Sequence, residues 1–267
     1  MRQQGGPMHN LLEKDLDFLV RTVADRRTDY EQVKEIVRDK EDLIEIMLEN
    51  PKLVARIREK QDELLFISPY FLFNVLLRQV RRQLKERSFT LETTGRERIA
   101  VFDTGRASEL LAGADLLSYL AETLASFTRI QSGVIFYRVG EKFKRLKFNT
   151  LNLANLATLG ALLPEEDRFL VYRRMADLCL FMAGIFPDHA GRRLYGGRSM
   201  AGSLSLADYQ ALGPQYYQAA ARHPGAEASG YRGILEKMAA NFDILLKPIR
   251  ILAEEYIGFR RTYWFEY

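Results

Sequence analysis

Apolar residues return every three or four positions along almost the whole of this chain, and that spacing restricts it to helices that bury their stripes against one another. Leu12, Leu16, Leu19 and Val23 form one stripe. Val33, Val37, Ile44, Met47 and Leu48 form a second, which reads as one helix ending at Asn50-Pro51, with Pro51 opening a short third helix through Ile57. Ser68-Pro69 is a sharper signal: serine as N-cap and proline at the first helical position announce a helix over Tyr70 to Arg87. Its apolar side is Phe71, Leu72, Val75, Leu76 and Val80, and its other side carries Asn74, Arg78, Arg81, Arg82 and Lys85.

Two short stretches break the helical period. Phe89 to Thr93 and Arg98 to Phe102 flank Thr94-Gly95-Arg96-Glu97, the composition of a small hairpin. Val134 to Val139 and Lys142 to Phe148, joined at Gly140-Glu141, predict a second hairpin in which β-prone residues alternate with cations. Between them one helix is expected from Ala107 to Thr128. After the second hairpin, Asn149 or Thr150 can cap a short helix to Leu162. Pro164 then starts a helix whose first turn holds Glu165, Glu166 and Asp167. That helix becomes apolar nearly all round after Met175 and ends at Pro187, which places it in the core. Ser205 caps a further helix, expected to be interrupted at Gly213-Pro214. A near-heptad follows from Tyr231 to Leu245, and Pro248 is expected to open the last helix.

The expectation is a mainly α protein, a bundle of about nine or ten helices with one or two small β-hairpins. It is read as a single helical domain over residues 8–267, with a charged N-terminal subdomain, 8–66, and a helical core, 67–267. The longest uncharged stretch, Phe148 to Pro164, is 17 residues with three Asn and two Thr, too short and polar to span a bilayer. One cysteine, Cys179, permits no intrachain disulfide, and Met1 to Asn10 lacks a basic start followed by an apolar run. A cytoplasmic location is therefore expected.

Charge is distributed unevenly. Residues 1–50 hold 8 basic and 12 acidic side chains, whereas residues 51–100 hold 11 and 6. A second basic stretch, Arg129, Arg138, Lys142, Lys144, Arg145 and Lys147, is opposed only by Glu141. Cations on rigid elements can neutralise a row of phosphates. Arg78, Arg81, Arg82 and Lys85 on the helix, with Arg138, Lys142, Lys144, Arg145 and Lys147 on the hairpin, are accordingly the candidate polyanion-binding residues. Tyr137, Phe143 and Phe148 lie among the hairpin cations and could stack on bases or anchor the ribbon.

The inventory for chemistry is short. His9, His189 and His223 are the only histidines, and none lies in a Glu-x-x-His or His-Glu-x-x-His pattern, so no metal site and no cofactor is expected. Gly197-Arg198-Ser199-Met200-Ala201 stops one residue short of a nucleophile elbow, and no buried strand precedes it. The loop from Gly191 to Ser203 offers Arg192, Arg193 and Arg198 as secondary candidates for an anion, although its spacing is not that of a P-loop. Asp177 is a candidate buried acid, and an ion pair with Arg173 or Arg174 accounts for it without catalysis. Cys179 reads as a small packed hydrophobe.

The segment Tyr172 to Pro187, with Ser68-Pro69, Tyr119 to Arg129 and Tyr209 to Tyr217, resembles phrases of an uncharacterised bacterial family of helical cytosolic proteins. The resemblance implies a bacterial cytosolic origin and carries no activity, ligand or catalytic residue. The functional expectation is a non-enzymatic binding or regulatory protein that meets nucleic acid or another polyanion through its basic helix and hairpin. An alternative is a protein-interaction scaffold or homo-oligomer that uses the charged N-terminal helices and the aromatic tail Phe259 to Phe265. A third is a small-molecule enzyme or sensor with a pocket near Asp177.

Overall fold

The computed structural model describes residues 11–59, 66–86, 90–94, 97–101, 104–129, 132–139, 142–187 and 204–258. It is mainly helical, and its contacts divide the chain into two compact units, Met1–Ser126 and Phe127–Tyr267.

The first unit begins with α1 (Glu13–Val23), α2 (Tyr30–Arg38), α3 (Glu41–Leu48) and α4 (Pro51–Glu59). The single helix expected over Val33 to Leu48 is two. The chain turns at Asp39-Lys40, where Lys40 is extended, Arg38 complements the negative end of α2, and Glu41 and Asp42 complement the positive end of α3. Then come α5 (Pro69–Glu86), an antiparallel pair β1 (Thr90–Thr94) and β2 (Glu97–Val101), α6 (Thr104–Leu110) and α7 (Ala114–Ser126). The continuous helix expected from Ala107 is also broken. Gly113 sits in the break, where a Cβ would lie 2.9 Å from Asp115 Oδ1 in the first turn of α7.

α5 is the axis of this unit. Phe71, Phe73, Leu77, Val80 and Leu84 are fully enclosed, and Phe71 meets Phe18 of α1 edge to face at 5.7 Å. The entry to α5 is fixed by an acid far away in sequence. Asp15, wholly buried in α1, accepts the Ser68 backbone N–H on Oδ1 at 2.6 Å and the Ser68 hydroxyl on Oδ2 at 2.7 Å. Ser68 Oγ in turn accepts the Phe71 N–H at 3.1 Å, the N-cap bond expected of it, and Asp15 Oδ2 also accepts the Leu12 N–H at 2.9 Å. One carboxylate thus closes the start of two helices.

The second unit opens with the antiparallel pair β3 (Ser132–Val139) and β4 (Lys142–Asn149), followed by α8 (Leu153–Leu162). Asn152, not Asn149 or Thr150, caps α8 by accepting the Asn155 N–H at 3.0 Å, while Asn149 Oδ1 accepts the Leu151 N–H at 2.7 Å in the preceding turn. A 3-10 turn over Glu165–Asp167 leads into α9 (Phe169–Ile185), which packs against α8, α10 (Leu206–Arg222) and α13 (Phe242–Leu252). Phe181 of α9 stacks on Phe127 at 4.2 Å and meets Phe186 edge on at 5.6 Å. The expected interruption at Gly213-Pro214 is absent: α10 runs through both residues. A Cβ on Gly213 would overlap the Phe242 ring, so the glycine permits a close approach of α10 and α13, and this packing outweighs the hydrogen bond forgone at Pro214. Ser205 caps α10 in a reciprocal box with Asp208.

Between α10 and α13 lie α11 (Pro224–Ala228) and α12 (Arg232–Ala240). Pro248 falls inside α13 and does not open a new helix; a π-helical turn over Ala253–Ile257 follows. The described residues therefore hold 13 α-helices where about nine or ten were expected, because three stripes are each split, the near-heptad from Tyr231 to Leu245 at Asn241 among them, and the short α11 was not foreseen. Among the described residues no helix is long and apolar enough to cross a membrane.

The Asp15 arrangement makes a quantitative demand. Asp15→Ala strands a buried N–H and a buried hydroxyl and is expected to cost about 2–4 kcal/mol in chemical denaturation, while Asp15→Asn, which keeps one acceptor, recovers part of that. A loss under about 0.5 kcal/mol, the range of an ordinary surface substitution, would refute this account.

Candidate functional site

The cations expected on the outer face of α5 are turned toward acids of α3. Arg78 is 3% exposed; its Nε donates to Asn74 Oδ1 at 2.8 Å, one terminal nitrogen to Glu49 Oε1 at 2.6 Å and the other to Glu45 Oε2 at 2.6 Å. Arg81 reaches the same Glu49 oxygen at 2.8 Å and the Leu111 carbonyl at 3.4 Å. Arg82 donates to the Glu49 backbone carbonyl at 2.6 Å, at the negative end of α3. Three guanidinium groups therefore converge on one carboxylate and the carbonyl of the same residue. Lys85, one turn further on, is exposed.

Burying Arg78 is tolerable because every nitrogen has an acceptor and two of these are ionised. The sequence places Glu45 and Glu49 four apart, on α3 and at its C-cap, and Arg78, Arg81 and Arg82 three, four and one apart on α5, so both clusters are visible in it. What the sequence does not reveal is that they face each other.

The hairpin cations are placed differently. In the β3 and β4 register Val134 lies opposite Lys147, Phe136 opposite Arg145 and Arg138 opposite Phe143. Because residues two apart along a strand share a face, Arg138, Arg145 and Lys147 occupy positions on one face of the ribbon. Lys142 and Lys144, opposite Val139 and Tyr137, occupy positions on the other, toward the turn. The side chains of Arg138, Lys142, Lys144 and Lys147 lie outside the described residues, whereas that of Arg145 is described and exposed. Ser132 and Val134, two more members of its face, are exposed as well, Val134 to 40%. Arg129, just before β3, is also exposed.

The secondary candidates Arg192, Arg193 and Arg198, with the Gly197 to Ala201 segment, lie outside the described residues, as do His9, His189 and the tail from Phe259.

Asp177 is buried at the contact of α9 and α10. It accepts the Tyr217 hydroxyl on Oδ1 at 2.8 Å, and its Oδ2 lies 3.9 Å from Arg173 Nε one turn back. The Arg174 guanidinium lies over the Phe127 ring at 3.6 Å, while Arg173 also covers Tyr231 at 4.7 Å. Tyr217, fully buried, is the partner the sequence reading missed; only its place on an apolar-lined helix hinted at it. The arrangement is a carboxylate tied across two helices.

Two further groups are spoken for. Burial, with a smaller contribution from Asp177, pushes the Cys179 thiol up to about 12, so it stays protonated and unreactive at neutral pH. His223 donates from Nε2 to the Glu165 carbonyl at 2.7 Å and accepts the Gly225 N–H on Nδ1 at 3.0 Å, which joins the end of α10 to the 3-10 turn. Among the described residues no three His, Cys, Asp or Glu side chains are grouped to hold a metal ion. No family model matches the chain, and neither the curated proteins nor the solved structures contain a match to it.

Two outcomes follow from these contacts. Thermal or chemical denaturation should rank the α5 arginines by burial: Arg78→Ala costs about 3–5 kcal/mol, while Arg82→Ala, at a half-exposed pair, costs about 1 kcal/mol or less. Equal losses would mean that the carboxylates, and not the enclosure of Arg78, set the energetics. Separately, Cys179 should resist a maleimide at pH 8 in the native protein and react fully in denaturant; rapid labelling of the native chain would contradict its enclosure.

Proposed function

We propose that this chain is a non-enzymatic binding protein that holds nucleic acid through the β3–β4 ribbon. The observation that carries the reading is the register. It sets Arg138, Arg145 and Lys147 on one face, of which Ser132, Val134 and Arg145 are exposed, with Lys142 and Lys144 on the other face near the turn. A narrow two-stranded element with cations on both faces suits a nucleic-acid groove, which accepts a β-ribbon as readily as a helix. Phosphate neutralisation supplies the affinity, and the register positions beside the cations hold Phe136 and Phe143, residues of the type that stacks on bases.

α5 is left out of this reading. Arg78, Arg81 and Arg82 already have their anions in Glu45 and Glu49, and drawing them out would leave buried charge unpaired.

Fluorescence anisotropy with labelled duplex and single-stranded oligonucleotides, over a salt series, tests the proposal. Binding should weaken steeply with salt. Changing Arg138, Arg145 and Lys147 together to Gln should lower the slope of log K against log salt by about 2 to 3, roughly one for each phosphate contact removed. Binding that is absent at about 50 mM salt, or unchanged in the triple variant, overturns it.

A further inference from the structure

We propose that the outer surface of α2 and α3 receives the β3–β4 ribbon of a second copy of this chain. One isoleucine on each helix is unusually open, Ile36 of α2 at 53% and Ile46 of α3 at 68% exposed. Each has an acid one helical turn away: Asp39 lies three residues after Ile36, and Asp42 lies four before Ile46. Asp39, Glu41 and Asp42 are exposed and, among the described residues, enter no ion pair; exposed Lys40 is the one cation among them. Glu31 and Glu35, by contrast, are matched by Lys34 and Arg38. Each helix therefore presents an open apolar side chain with an unpaired acid one turn away.

Its chemical complement is found in the same sequence. The exposed face of the ribbon sets Val134 opposite Lys147, with exposed Arg145 two positions before Lys147, an apolar side chain bracketed by surplus positive charge. Apolar contact supplies the attraction, and opposed charges fix the orientation and repel a like surface. The two surfaces are different, so the contact is head to tail, and a copy that receives one ribbon still offers its own. Nucleic acid and a second copy then compete for one ribbon. The inference rests on that ribbon being an outward cationic face, but not on its binding nucleic acid.

Sedimentation velocity of the full chain tests it. The mean sedimentation coefficient should rise with protein concentration at about 50 mM salt and fall back toward the monomer at about 500 mM, where the charges are screened. Asp39→Lys with Asp42→Lys should abolish the rise and, because it frees the ribbon, should not weaken oligonucleotide binding. Arg145→Glu with Lys147→Glu should abolish the rise as well, and a mixture of the two variants should associate again, through the native pairing of the first variant's ribbon with the second's acidic surface and through the reversed pairing. A strict monomer at low salt up to about 0.1 mM, or association that ignores both salt and these substitutions, overturns the proposal whatever the anisotropy shows. Conversely, association that behaves as described without oligonucleotide binding would retire the nucleic-acid reading alone.

Discussion

A guanidinium withdrawn from water must be supplied with anions, and in this protein the supply of anions to Arg78 organises the N-terminal half. α3 is short and buries only Ile44, Met47 and Leu48, a modest anchor for a helix of eight residues. Glu45 and, just past the helix end, Glu49 reach the one buried arginine of α5. The pairing is therefore better regarded as a condition on where α3 can sit than as a large net gain in stability. Any displacement of α3 would have to resolvate Arg78 or leave it unpaired.

That constraint also explains why charge counted along the chain misleads. The acidic first 50 residues and the basic next 50 look like separate fields, yet Glu45 and Glu49 of the one are the counterions of Arg78, Arg81 and Arg82 of the other. Spacing on a single helix identifies a basic face; it says nothing about which neighbour that face meets. The ribbon differs because alternation along two paired strands fixes the faces once the register is known, and the turn composition at Gly140-Glu141 was enough to place the two runs.

Helices were legible wherever a stripe coincided with a local stop or start. Ser68-Pro69 and the Ser205 cap with Asp208 are local devices, and each stands where residue order puts it. The breaks at Asp39-Lys40 and Gly113 were not legible as breaks, because the apolar period continues across both. Gly213-Pro214 erred in the opposite direction, since the propensity of two helix breakers was overridden by the fit of the Phe242 ring. Asp177 was visible as an oddity in an apolar run, but its partner Tyr217 lies forty residues away. Asp15 was not visible at all, being one acid among a dozen until the chain folds back to Ser68.

Asp15 links more than positions. Its carboxylate closes the first turn of α1 through Leu12 and holds the serine that closes the first turn of α5. Fraying at either end therefore loosens the other, although 53 residues separate Asp15 from Ser68. Amide protons at the two helix starts should exchange with solvent as one kinetic group, which makes the N-terminal helices and α5 a single cooperative unit of opening and not a row of independent ones.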